Sequence, residues 1–152
     1  AGEHHRVHTR GVKLCRSVRV ASAGCHTGAM LAIGTTVMGV QDLERAVAFW
    51  TAALGYVSRR SIDPEEDFTI LAPADGDGPR LALDVSETPV QQHPRVHLDL
   101  WAGDAADQAA EVERLVSLGA TRVDWELYPA EPDFVVLADP EGNRFCVIDT
   151  SH

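Results

Sequence analysis

The feature that most constrains this chain is an internal repeat. Leu54-Gly55 returns as Leu118-Gly119 at an offset of 64. At the same offset, Ala74-Asp75 with Gly78, Arg80 and Leu81 returns as Ala138-Asp139 with Gly142, Arg144 and Phe145. Asp42 returns as Asp104 at an offset of 62, so the second helix is expected to be about two residues longer than the first. A constant offset over several strings implies duplication of one unit. Units this short have too little core to stand alone, so the two copies must bury apolar surface together.

Each copy reads as βαβββ. In the first, residues 31–40 are rich in β-formers (Ile33, Thr35, Thr36, Val37, Val40). Asp42 stands where an N-cap accepts from the first free helical N–H groups. Leu43, Ala46, Val47, Trp50, Ala53 and Leu54 follow at helical spacing, and Gly55 suits the left-handed residue that ends a helix. Residues 56–60, 67–72 and 80–85 read as strands, with turns at 63–66 and 73–79. In the second copy, 96–101 reads as a strand and Asp104 as a cap. Ala105, Ala109, Val112, Leu115, Val116 and Leu118 make the helix face, and Gly119 stops it. Residues 121–125, 134–138 and 144–148 complete the unit. The proline-bounded stretch 86–94 separates the copies.

The fold class expected is therefore α+β, with two tandem βαβββ modules at 31–88 and 94–150. Their strands curl into a mixed sheet around a central cleft, with the helices outside. Residues 1–29 differ, with four of the seven histidines (His4, His5, His8, His26) and little periodicity. They read as a poorly ordered N-terminal arm before one domain at 30–152.

Composition narrows the partners. A net charge of -10 and a pI near 5.0 disfavour nucleic acid and anionic membrane, which need a basic surface. No apolar run approaches the ~20 residues of a spanning helix. Cys15, Cys25 and Cys146 are odd in number and irregular in spacing, as free thiols in a reducing, cytoplasmic setting would be. Ser22-Ala23-Gly24-Cys25 behind Lys13, Arg16 and Arg19 has the outline of a lipoprotein leader. Residues 14–23 are broken by Cys15, Arg16, Ser17, Arg19 and Ser22, so a secretory signal is rejected. Cys25-His26 has no matching pair at zinc-finger spacing.

Two strings carry a family resemblance. Val40-Gln41-Asp42-Leu43-Glu44-Arg45-Ala46-Val47-Ala48-Phe49-Trp50 with Leu54-Gly55-Tyr56 is one, and Asp139-Pro140-Glu141-Gly142-Asn143-Arg144-Phe145 is the other. Both resemble the vicinal oxygen chelate superfamily, which includes the glyoxalases, the bleomycin-resistance proteins and the extradiol dioxygenases. The resemblance covers residues 31–150. Arg95-Val96-His97-Leu98-Asp99-Leu100 and Phe145-Cys146 are most similar to its glyoxalase-like subgroup. It implies the paired βαβββ fold and a small-molecule cleft, not a particular reaction. It also implies a homodimer, as relatives with two modules often pair.

In metal-dependent relatives such as glyoxalase I, ligands lie on the first and last strands of each module. The matching positions here are Thr35, Ala82, His97 and Cys146. Only His97 keeps a family ligand. Thr35 is a poor donor and Ala82 is none, while a divalent ion needs three or four. The expectation is therefore no metal and no cofactor.

On the family geometry His97 faces the cleft. Strand alternation puts Asp99 and Trp101 on its side, with Leu98 and Leu100 towards the helices. Asp99 can orient His97 and raise its basicity, making it a general base; equally, the two can only satisfy each other. Cys146 shares a face with Arg144 and Ile148. It is a nucleophile only if a base depresses its pKa, and otherwise a small core residue. With His97 and Asp99 it could also hold a soft ion. Trp50 is expected in the core, and Trp101 at the cleft mouth. Trp125 and Tyr128 are expected to form a wall against a planar ligand, with Thr35, Arg144 and Cys146 as further contacts. Asp139 to Asn143 reads as a tight turn. The function expected is binding of a small organic ligand without a metal. Two alternatives are a lyase or isomerase using His97 as base with Asp99 orienting it, and a metal-dependent enzyme with non-family ligands.

Overall fold

A computed structural model describes residues 32–58 and 66–151. All of them fall within one compact unit, Ala32–His152. The expectations for the arm at 1–29, with Cys15 and Cys25, and for the turn at 63–65 lie outside the described residues.

The first module consists of β1 (Thr36–Val40), α1 (Leu43–Leu54), β2 (Tyr56–Ser58), β3 (Phe68–Pro73) and β4 (Leu81–Val85). The second repeats it with β5 (Asp99–Trp101), α2 (Ala105–Ser117), β6 (Thr121–Arg122), β7 (Phe134–Ala138) and β8 (Arg144–Ile148). The strands form two four-stranded sheets, ordered β1-β4-β3-β2 and β5-β8-β7-β6. In each, the first strand of the module runs parallel to the last, and the other pairs are antiparallel.

The helix ends follow from their residues. Asp42 accepts from Arg45 N, and Gly55 (φ 65) ends α1 in the left-handed region. Asp104 accepts from Ala106 N and Asp107 N. Helix α2 has 13 residues against 12 for α1, so the second helix exceeds the first by one residue instead of two.

Helix α1 buries more than the sequence predicts. Phe49, outside the expected apolar stripe, is buried with Ala46, Val47, Trp50 and Ala53. The reason is the second module. Phe49 and Trp50 both pack on Phe145 of β8, with ring centroids 6.2 and 5.3 Å apart. A helix wedged between two modules needs a wider apolar arc than one lying on a single sheet. Truncating a buried aromatic of this kind costs about 3–5 kcal/mol. The C-terminal end of α1 has no basic residue of its own. Arg114 of α2 donates instead to the carbonyls of Ala52 and Ala53, at 3.2 and 2.8 Å, which suits the negative end of the helix dipole.

Polar contacts complete the seam between modules. The buried Glu141 accepts from Gln41 N, Asp42 N and Arg45 Nε. Buried Asp139 accepts from Trp50 Nε1 and from the backbone of Glu141 and Asn143. Asn143 Nδ2 donates to the Gly39 carbonyl. The Asp139–Asn143 string does turn the hairpin, with Gly142 at φ 89. It also bolts the second module to the start of the first helix.

Three strands are shorter than the sequence predicts. The loop through Pro94 brings the chain to the sheet edge late, where the Leu98 carbonyl accepts from Cys146 N, so the β5 ladder begins only at Asp99. After Val123 N donates to the Val136 carbonyl, the chain leaves the sheet instead of continuing to Trp125. In the first module, β1 begins only at Thr36, whose N donates to the Arg80 carbonyl, while residues 59–60, expected in β2, lie outside the described residues. Among the described residues, no helix is long and apolar enough to cross a membrane.

Candidate functional site

The strand registers align the two modules residue by residue. Val37 lies opposite Ala82 between β1 and β4, and Asp99 lies opposite Cys146 between β5 and β8. These pairs are related by the offsets of 62 and 64 seen in the sequence, so Thr35 corresponds to His97 and Ala82 to Cys146. Asp99 and Trp101 are exposed on one face of β5, while Leu98 and Leu100 pack against the core.

On the second sheet three groups converge. His97 Nε2 lies 3.2 Å from Asp99 Oδ1, both side chains about half exposed. Cys146 is buried beneath them. Donor atoms of His97, Asp99 and Cys146 all lie within 4.8 Å of one another. Burial, then the charge of Asp99 and a hydrogen bond to it, push the Cys146 thiol up to about 11. At neutral pH it is a protonated donor to Asp99, not a nucleophile.

Beside this group is a cavity of about 160 Å³ lined by Pro94, His97, Trp125, Phe134, Val136, Arg144, Phe145 and Cys146. Trp125 is its wall. The Arg144 guanidinium stacks on the Trp125 ring at 5.4 Å, and the His93 ring packs against it at 5.1 Å. His93 Nε2 also meets Glu126 Oε1 at 2.8 Å. Glu126 is held below the usual carboxylate value by a backbone hydrogen bond and by His93. Arg144 donates from both terminal nitrogens to Gln92, to its backbone carbonyl and to its Oε1. A second, larger cavity of about 290 Å³ lies along β1 and the loop after β4. It shares Pro94, His97 and Arg144 with the first.

The expected site residues fall into two groups. The structure brings His97, Asp99, Cys146, Arg144 and Trp125 together. Tyr128 stands behind them. Its hydroxyl accepts from Val136 N at 2.8 Å and its ring packs on Phe134 at 5.3 Å, so it supports the wall. Trp101 is 83% exposed and lines neither cavity, and Thr35 also lines neither, its neighbour Thr36 facing the larger one. Pro94, Phe134 and Val136 line the smaller cavity without having been singled out in the sequence. For the last two the signal was present. A hairpin turning on Asp139–Asn143 sets Val136 opposite Cys146 and Phe134 opposite Ile148.

Comparison with known proteins agrees with this fold. A family model described as a glyoxalase-like domain matches residues 35–148. The chain belongs to the glyoxalase-like domain family. It is thereby a member of the glyoxalase/bleomycin resistance/dioxygenase superfamily. Similar solved structures share the fold of this glyoxalase-like domain at low identity. One is a glyoxalase/bleomycin resistance protein/dioxygenase family enzyme from Burkholderia phytofirmans PsJN, with TM-score 0.61 and 15% identity, covering 78% of this chain and 98% of that one. A glyoxalase-related enzyme from Fulvimarina pelagi has TM-score 0.56 and 19% identity, covering 80% and 89%. The fosfomycin resistance protein FosX from Listeria monocytogenes has TM-score 0.62 and 14% identity, covering 81% and 94%. No curated protein sequence matches the chain.

The four-donor metal set of metal-dependent relatives does not fit this glyoxalase-like domain. Ala82 is fully buried and presents only a methyl group at one of the four positions that the family resemblance assigns to ligands. The first module supplies no donor at that place.

Proposed function

We propose that this glyoxalase-like protein binds a small organic ligand in the cavity over its second sheet, without the metal set of its family. One observation carries the reading. The 160 Å³ cavity is apolar on the side of Trp125, Phe134 and Val136 and polar on the side of His97 and Arg144. A dry apolar cavity of about 150 Å³ is enough to hold one benzene-sized ring. An apolar pocket with a few convergent polar groups is the usual form of a small-molecule site. The same reading sets the protein in a reducing, cytoplasmic compartment, where Cys146 stays a thiol. It also makes the protein a homodimer, for which the exposed Val37, Val96 and Trp101 offer apolar area.

The test is a tryptophan fluorescence titration with single-ring compounds such as phenol. The reading expects a saturable change that survives Trp101→Phe and disappears in Trp125→Phe. A change that follows Trp101, or no saturation in any protein, refutes it.

A second reading rests on the His97–Asp99 contact of 3.2 Å. With Nε2 turned to Asp99, Nδ1 is left to take a proton, as in a lyase or isomerase whose base is His97 and whose orienting group is Asp99. The convergence of His97, Asp99 and Cys146 supports a variant of this reading with a soft ion on nitrogen, oxygen and sulfur donors. Once a turnover is known, His97→Asn tests the catalytic role, since retained turnover removes His97 as the base.

A further inference from the structure

We propose that Arg144 anchors the carboxylate of the ligand and that Gln92 is its intramolecular stand-in, so that the ligand class is a single-ring carboxylate. The proposal rests on the smaller cavity being the ligand site.

Three observations lead there. First, Arg144 with Pro94 and His97 divides the two cavities. A ring held among Trp125, Phe134 and Val136 therefore directs its substituent at the guanidinium. Second, the two terminal nitrogens of Arg144 donate to two oxygens of a single residue, the backbone carbonyl and Oε1 of Gln92. Two acceptor oxygens in front of one guanidinium fork are what a carboxylate offers. Third, among the described residues no carboxylate lies within ion-pair distance of Arg144. Glu126, on the loop that carries Trp125, is paired with His93 and feels Arg144 only through the longer-range attraction of its charge.

Replacing the neutral acceptors of Gln92 with a carboxylate turns two ordinary hydrogen bonds into charge-assisted ones, roughly twice as strong. Gln92 sits in an exposed loop between Pro89 and Pro94, so little packing opposes its release. The stack on Trp125 holds the guanidinium plane while its partners change. Asp99, the acid nearest in sequence to His97, does not line the smaller cavity.

The experiment is an NMR titration of the full chain with benzoate and with benzamide, its neutral counterpart. Wild type is expected to bind benzoate about tenfold more tightly, and Arg144→Met to lose that preference while still binding benzamide. Equal affinity for the two in wild type, or a preference that survives Arg144→Met, overturns the carboxylate anchor and leaves the cavity reading standing. Binding of neither probe to wild type overturns both. A second variant guards against misfolding of the first. Gln92→Glu places a tethered carboxylate on Arg144 and is expected to weaken benzoate about tenfold with benzamide unchanged; an unchanged benzoate affinity counts against the proposal.

Discussion

Glu141 Oε1 lies 2.6 Å from Arg45 Nε, across the seam between the two modules. The glutamate side chain is almost fully buried and the arginine half exposed. The other carboxylate oxygen accepts from Gln41 N and Asp42 N, at 2.7 and 3.0 Å. One side chain of the second module thus closes the N-terminal end of the helix that both modules share. Glu141→Ala leaves two backbone donors without their acceptor and is expected to destabilise the fold by on the order of 3 kcal/mol. Urea denaturation measures this. A loss below a few tenths of a kcal/mol would mean that the seam is held by aromatic packing alone.

The same residue sets a pH dependence. Burial alone would raise the Glu141 carboxyl, but hydrogen bonds from Arg45, Asp42 N and Gln41 N outweigh it and hold the group below its ordinary value of 4.5. A depressed carboxyl contributes stability above that ordinary value and loses it as pH falls through the lower, folded value. Asp139 works the other way, since burial raises its carboxyl above the ordinary 3.8 despite its hydrogen bonds. Glu141→Gln is therefore expected to flatten the loss of stability below pH 4.5, as followed by thermal unfolding from pH 6 to pH 3. A slope equal to that of wild type contradicts this assignment.

Cys146 gives a chemical readout of the site. With its thiol at about 11, its thiolate fraction at pH 7.5 is roughly a hundredfold below that of a thiol two units lower. Iodoacetamide labelling, read at the Cys146 peptide by mass spectrometry, should be slow at pH 7.5 and rise steadily towards pH 11. After burial, the charge of Asp99 is the next cause of the shift. Asp99→Asn should therefore speed labelling at a fixed pH. Fast labelling of wild type at pH 7.5 would mean that a base activates the thiol.

The metal readings separate by elemental analysis. The binding account expects purified protein to carry no stoichiometric metal. It also expects added Co²⁺ to give no thiolate charge-transfer band that Cys146→Ser removes. Stoichiometric zinc, or such a band, would transfer the assignment to the His97, Asp99 and Cys146 donors.

Much of the fold was legible because the repeat and the helix caps are local signals. Asp42, Gly55 and Asp104 each act through backbone geometry within a few residues, so their roles can be read without the partner module. Glu141 and Asp139 were opaque for the opposite reason. Pro140, Gly142 and Asn143 already account for the string as a turn, and nothing local shows that its carboxylates reach Arg45 and Trp50. Phe49 was missed because its burial comes from Phe145, which belongs to the other copy. At the site, the pairing of His97 with Asp99 was legible from strand alternation, and Cys146 joined them only through the ligand positions that the family resemblance implies. Gln92 and His93 lie in a loop without periodicity, and only the folded chain brings them to Arg144 and Trp125.

The most direct test of the account is a ¹H–¹⁵N NMR titration of the wild-type chain with benzamide, a neutral probe that does not depend on the Arg144 anchor. The account predicts saturable shifts concentrated at the Trp125 indole and at the amides of His97, Val136, Arg144 and Cys146. Shifts confined to the first module, or none at millimolar benzamide, would contradict it.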